Sequence, residues 1–493
     1  MTGPTRRAVI GAVAMPFVAR LAAAAEAVPV VVTTGGRVQG TREDGVRAFR
    51  GVPFAAPPVG PLRFRPPAPA VPWQGVRPAL AFAAAAMQPP MATMPELPTS
   101  EDCLYLNVWA PAEGGGHPVL VWLHGGGNQA GTTRAPIFDG SPFARDGVVC
   151  VTVGYRLGAF GFLDIGALLG PDYAGSGCNG VRDQTAALAW VRDNIAAFGG
   201  DPARVTLAGQ SAGAKDVCTL LAVPTALPLF RRAIIESGSG QTVFTQAEGA
   251  AIARRFAAAL RGDPRTATAG QLLAAETALI ADPPIDWPFR PVIDGAFIPR
   301  RPVDAVAAGS AAGIALLLGT NADESVLFVP DAATAARPPT QADVANMKLA
   351  AFAALDGAYA RELPKLSAAD RHWRMLTAEE YWIPTLRVAE AQVAAGGAAW
   401  MFRYDLPATD GRFPGHAVHA GELPSVWGRP DAALPALHEV FVRFIGGAAP
   451  GAAMLPDWPR FDLRTRATMI LDAAPHVADD PRGAERRIWA GVL

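Results

Sequence analysis

Residues 205–221 read VTLAGQSAGAKDVCTLL. An apolar run, Val205 to Ala208, passes through Gly209-Gln210-Ser211-Ala212-Gly213 straight into a helical segment. A run of that kind reads as a strand buried on both faces, which needs helices to cover it. No loop separates strand from helix, so a sharp turn must join them. Gly209 and Gly213 lack a Cβ, which lets the two elements approach closely. Such a turn holds a serine hydroxyl proud of the sheet, within reach of a reactant. A bare G-x-S-x-G is a common small-residue turn; the strand before it and the helix after it single this one out.

The rest of the chain repeats the arrangement. PVLVWLHGG (118–126), GVVCVTVGYR (147–156), RRAIIESG (231–238) and IALLLGT (314–320) are further buried-strand runs. DQTAALAWVRDNIAAF (183–198) reads as a helix with an acidic start and Gly199-Gly200 to end it. Alternating strands and helices predict an α/β fold, a central mostly parallel sheet covered by helices. Near the N-terminus, residues 30–55 read as short strands joined by glycine turns, followed by a Pro-rich stretch to about Pro72. Residues 243–285 and 331–395 are Ala-rich and helical, as expected of cap insertions over one end of the sheet. With 50% hydrophobic and 18% charged residues, the 493-residue chain can bury a large core. No internal repeat or linker divides it.

Composition excludes several function classes. The net charge of −1 offers no basic surplus for nucleic acid. The four cysteines, Cys103, Cys150, Cys178 and Cys218, lack CxxC spacing, against both a zinc site and a disulfide framework. The start, TRRAVIGAVAMPFVARLAAAAEA, has the basic pair Arg6-Arg7, a short apolar run and the A-x-A pattern Ala25-Glu26-Ala27. It resembles a twin-arginine export signal over residues 1–27, against the plainer alternative of a frayed cytoplasmic N-terminus. A mature chain from Val28 to 493 is then a single domain, periplasmic or secreted. No run is long enough to span a membrane.

A serine hydroxyl needs a base to take its proton. Of seven histidines, His419 in GHAVHAGELPSVWG sits on a Gly-containing loop well downstream. Where the order is nucleophile, acid, base, the acid falls between Ser211 and His419, just after a strand. LLLGTNADES supplies Asp323 and Glu324 there. A lone loop histidine is usually solvated, and an acidic pair after a strand usually caps a helix. The three coincide here in the required order. The tetrahedral intermediate also needs hydrogen-bond donors. HGGGN (124–128) follows a strand, and the N–H groups of Gly126, Gly127 and Ala212 are candidates for the oxyanion hole.

The chain resembles the type-B carboxylesterase and cholinesterase family of the α/β-hydrolase fold. The likeness runs almost end to end, through FRGVPFAAPPVGPLRF (49–64), SEDCLYLNVWAP (100–111), HGGG, GYRLGAFGFL (154–163), GVRDQTAALAWVRDNIAAFGGDPARVT, GTNADES and HAGELP. It implies Ser211 as nucleophile, Glu324 rather than Asp323 as acid, His419 as base, and Gly126, Gly127 and Ala212 as oxyanion donors. It also implies a structural ion pair between Glu101 and Arg156. The expected substrate is a small-molecule ester, with no cofactor and no metal. Amide or carbamate hydrolysis by the same residues, and a non-catalytic binding homologue, are the alternatives.

Four positions depart from the family pattern. No cysteine precedes Cys103, so the usual bridge is missing. Met87, Met91 and Met94 occupy that loop, as an adaptable apolar wall or as plain core packing. Asn128 stands where many members carry an aromatic residue. Asp216 replaces the usual small residue five after the nucleophile, and its neighbour Lys215 is not on the same helix face. Gln210 replaces the glutamate that, in cholinesterases, adds negative charge near cationic alcohols and the catalytic histidine.

Overall fold

Eleven strands share one sheet in the computed structural model, which describes Met1 and residues 28–281, 287–329, 331–409 and 411–492. The expected export segment therefore lies outside the described residues. In chain order the strands are β1 (Thr41–Glu43), β2 (Val46–Pro53), β3 (Tyr105–Pro111), β4 (His117–Leu123), β5 (Val149–Val153), β6 (Gly200–Gln210), β7 (Arg232–Glu236), β8 (Ala315–Asn321), β9 (Ala399–Tyr404), β10 (Thr468–Leu471) and β11 (His476–Ala478). Their spatial order is 11-10-9-8-7-6-4-5-3-2-1. Strands β5, β4 and β6 to β10 are parallel, and antiparallel pairs close both edges. A second, three-stranded sheet of Val30–Thr33, Gly36–Gln39 and Val76–Pro78 carries the N-terminal strands.

Strand periodicity explains the two apolar layers. Successive side chains point to opposite faces. On β4, Val119, Val121 and Leu123 join one core cluster, while Leu120 and Trp122 join the other. Covering helices then bury both faces, as the continuous apolar runs require.

Helix α1 runs Asn179–Asn194 and tightens into a 3-10 turn, Ile195–Phe198, ended by Gly199 at φ +90°. It begins four residues before the acidic start expected at Asp183, and Asp183 is wholly buried. That carboxylate binds Arg156 at 2.7 and 2.8 Å instead of opening the helix. Helix α2, Ala212–Leu220, follows β6 at once.

The two Ala-rich segments are helical. The first holds α3 (Gln246–Leu260) and α4 (Ala269–Ala281). Thr245 and Glu248 form a capping box on α3, each satisfying the other's backbone N–H. The second holds α5 (Ala368–Thr377), a π-helical turn at Ala378–Trp382, and α6 (Ile383–Ala394). All four cysteines are free and buried. Met87 packs against the core. Among the described residues no helix is long and apolar enough to cross a membrane.

Candidate active site

Open parallel sheets bind ligands beyond the carboxyl ends of their strands, where the strand order reverses. Here it reverses between β4 and β6, whose ends carry the glycine loop and Ser211. Ser211 has φ +58° and ψ −126°, a conformation rare for a residue with a Cβ. Two backbone hydrogen bonds hold it there. Its N–H donates to the Glu236 carbonyl at 2.9 Å, and its carbonyl accepts from Lys215 N at 2.9 Å, the first turn of α2. Gly213 lies so close to β4 that a Cβ would stand 2.1 Å from the Leu123 oxygen. The glycine therefore sets how near α2 can approach the sheet.

The candidate base and acid follow separate strands. His419 follows β9 and is 6% exposed; Glu324 follows β8 and is fully buried. His419 Nδ1 lies 2.5 Å from Glu324 Oε2. The other oxygen, Glu324 Oε1, accepts from Asn321 N at 2.7 Å and from Ser237 Oγ at 2.6 Å. The carboxylate is thereby fixed and can hold an N–H on Nδ1, leaving Nε2 as an acceptor. Asp323 is turned away: its Oδ2 accepts from Ala417 N at 3.2 Å and lies 3.6 Å from His416 Nδ1. Of the two acidic candidates, Glu324 alone meets the imidazole.

Gln210 reaches the same imidazole. Its Nε2 lies 3.2 Å from His419 Nε2, the nitrogen that faces away from Glu324. With Nδ1 protonated toward Glu324, the amide donates this hydrogen bond. The family resemblance implies a side chain at 210 near the histidine; the structure adds which nitrogen it meets.

The glycine loop after β4 is shaped by left-handed residues: Gly126 at φ +118°, Gly127 at +63° and Asn128 at +56°. Among the described residues, none of the N–H groups of Gly126, Gly127 and Ala212 donates to a protein acceptor. Trp287 lies over this loop, so close that a Cβ on Gly127 would fall 2.0 Å from its ring. Phe328 stands edge-on to Trp287 at 5.8 Å, and Phe328 and Tyr381 flank the His419 ring at 5.3 and 4.9 Å. Apolar rings on two sides of the base lower the local dielectric and strengthen every charge interaction there.

Two further carboxyls lie behind Glu324 and His419. Glu422 is buried, accepts from Asn321 Nδ2 at 2.6 Å, and is pushed up to about 7 by burial and then by Glu324. Glu236, also buried, is pushed well above the usual carboxyl range by burial and then by Glu422. Glu422 could have been noticed three residues after His419; Glu236 sits in a strand pattern that gives no warning.

The expected ion pair between Glu101 and Arg156 does not form. Glu101 is held by Arg63 at 2.6 and 2.7 Å, and Arg156 by Asp183, with a further bond to the Arg65 carbonyl at 2.7 Å. Arg156 is buried, where its charge requires an equally buried partner, and Asp183 on α1 supplies it. Lys215 pairs with Glu380 at 2.6 Å rather than with Asp216.

The carboxylesterase family model covers residues 27–489. The chain belongs to the carboxylesterase family. It is a serine ester hydrolase of the α/β-hydrolase fold. It is 36% identical to the para-nitrobenzyl esterase of Bacillus subtilis, over 93% of this chain and 98% of that one. It is 31% identical to the cocaine esterase of Oryctolagus cuniculus, over 94% and 96%. Among solved structures, a Geobacillus stearothermophilus carboxylesterase superposes with a TM-score of 0.83 at 36% identity, covering 93% of this chain and 99% of the other.

Proposed function

We propose that Ser211, His419 and Glu324 are the catalytic triad of this esterase, with the N–H groups of Gly126, Gly127 and Ala212 as its oxyanion hole. The observation that carries the reading is the 2.5 Å bond between His419 and Glu324, with Gln210, the residue before Ser211, 3.2 Å from the same imidazole. Ser211 Oγ attacks the ester carbonyl carbon while His419 Nε2 takes the hydroxyl proton. Glu324 stabilises the imidazolium and keeps the Nδ1–H tautomer. The oxyanion receives the three N–H groups, each donor being worth about a hundred- to a thousandfold in kcat. The C–O bond then breaks, His419 returns its proton to the leaving alkoxide, and the acyl-enzyme remains. Water attacks it by the same route and frees Ser211. Gln210 must release Nε2 as the serine engages, so its amide is a brake on the free enzyme and a donor near the substrate.

The preferred alcohols are uncharged, because Gln210 places an amide where a carboxylate would attract a cation. Nitrobenzyl and nitrophenyl esters are the first substrates to try, given the para-nitrobenzyl esterase relative. The test is a series of nitrophenyl esters with graded acyl chains beside the matching anilides, for the wild type and Ser211→Ala. Ester hydrolysis that disappears in Ser211→Ala is expected; activity surviving in that variant, or faster anilide cleavage, overturns the reading.

The site of action we propose is the periplasm or the medium. Arg6-Arg7, the short apolar run and Ala25-Glu26-Ala27 support export. Arg6→Lys with Arg7→Lys should trap the precursor in the cytoplasm, and mature protein should begin near Val28. Normal processing of the double variant would refute the twin-arginine route.

A further inference from the structure

The two unexplained departures, Asn128 and Asp216, touch one another. Asn128 Nδ2 donates to Asp216 Oδ1 at 3.3 Å, and Gln184 Nε2 on α1 donates to Asp216 Oδ2 at 2.6 Å. All three residues are buried, with Asp216 and Gln184 wholly so. Asn128 is also the residue after the oxyanion glycines. Its carbonyl accepts from Gly158 N at 2.7 Å, so the loop is held at side chain and backbone alike. One carboxyl therefore joins the glycine loop, the helix that begins at the nucleophile, and α1.

We propose that Asp216 is a positioning residue which, through Asn128, sets the oxyanion loop against Ser211 and is therefore required for full turnover. The proposal rests on Gly126 and Gly127 acting as oxyanion donors. A loop of three left-handed residues has many neighbouring conformations of similar energy. An amide side chain anchored to the nucleophile helix selects one of them. Electrostatic stabilisation of an oxyanion depends on donors fixed before the reaction, so a loosened loop costs turnover more than substrate binding.

The strap also has two protonation states. Burial pushes the Asp216 carboxyl up to about 7, against the two amide hydrogen bonds and the nearby Lys215. Tyr155, after β5, is pushed well up by burial and then by Asp216. Cys218 on α2 is pushed up to about 12, and His124, stacked on Tyr155, is pushed down to about 4 by burial. Lys215 is held by Glu380. The amide oxygens Asn128 Oδ1 and Gln184 Oε1 are buried without partners. Ionised, the carboxyl accepts from Asn128 as seen. Protonated, it must donate to one of those oxygens, which requires an amide to rotate.

The experiment compares wild type, Asn128→Gly, Asp216→Ala, their double variant and Asp216→Asn on p-nitrophenyl acetate. Asn128→Gly removes the strap but keeps backbone freedom at φ +56°. Asn128→Gly and Asp216→Ala should each lower kcat about tenfold with KM within about twofold, and weaken a trifluoromethyl ketone inhibitor in parallel. The double variant should fall no further than the lower single. Asp216→Asn keeps a hydrogen-bonding partner for Asn128 and should retain kcat at high pH. Its acid limb should follow one proton where the wild type follows two. Wild-type kcat in folded Asn128→Gly, single effects that multiply in the double, or an Asp216→Asn limb identical to wild type would overturn the proposal. Failure of the underlying reading shows separately, as activity persisting in Ser211→Ala.

Discussion

Gln210→Glu tests the electrostatics of the base. The substitution changes one atom type at a side chain 3.2 Å from His419 Nε2 and only 4% exposed. A unit charge about 4 Å away at an effective dielectric near 20 is worth about 4 kcal/mol. About 1.4 kcal/mol moves a titration by one pH unit, so roughly three units is the ceiling. The new carboxylate loses hydration at this buried position, and Glu324 already faces the other side of the ring. The expected displacement is therefore about one unit. Its sign follows from the charge: an anion favours the imidazolium, so the acid limb moves to higher pH. The same charge should raise kcat/KM for a trimethylammonium ester relative to its tert-butyl isostere, by up to about tenfold. The assay is kcat/KM against pH for both esters with both proteins. If neither the acid limb nor the charge preference moves, Gln210 has no electrostatic role at the base, and the expected preference for uncharged alcohols loses its support.

Other perturbations follow from the same contacts. Glu324→Gln leaves the shape but releases the tautomer of His419, and kcat should fall about a hundred- to ten-thousandfold with the melting temperature little changed. Asp183→Ala leaves the Arg156 charge buried without its partner and should cost about 3–5 kcal/mol in denaturant unfolding, with no specific effect on KM. Among the buried carboxyls that burial raises are Asp216, Glu379 and Glu422, to about 7, and Glu276, to about 8. Between their ordinary values and these, the folded chain holds protons that the unfolded chain has lost, so stability falls as pH rises through that window. Melting temperature measured from pH 5 to pH 8 should decline, and a rise would contradict the burial argument.

The fold was legible because each parallel strand is buried on both faces and so reads as a continuous apolar run. β4 to β8 announce themselves this way, as do the Ala-rich cap helices. The start of α1 was misread because Asp183 resembles a helix-opening acid, whereas the buried Arg156 claims it from across the fold. The order of Ser211, the Asp323-Glu324 pair and His419 marked the candidates; the preference for Glu324 came from the family resemblance, and the structure adds its 2.5 Å contact with His419. What could not be read were contacts between distant segments. Trp287 over Gly127 and Asn128 on Asp216 each join positions whose spacing carries no pattern. Asn128 and Asp216 appeared only as two separate oddities, 88 residues apart, until the structure placed one against the other.

The central claim is that Ser211 is the nucleophile, activated by His419. Diisopropyl fluorophosphate followed by peptide mass mapping tests it most directly. The account predicts one phosphoryl adduct per chain, on Ser211, formed in step with loss of esterase activity, and absent when His419 is replaced by Ala. A stoichiometric adduct on another serine, or full activity in protein labelled at Ser211, would contradict it.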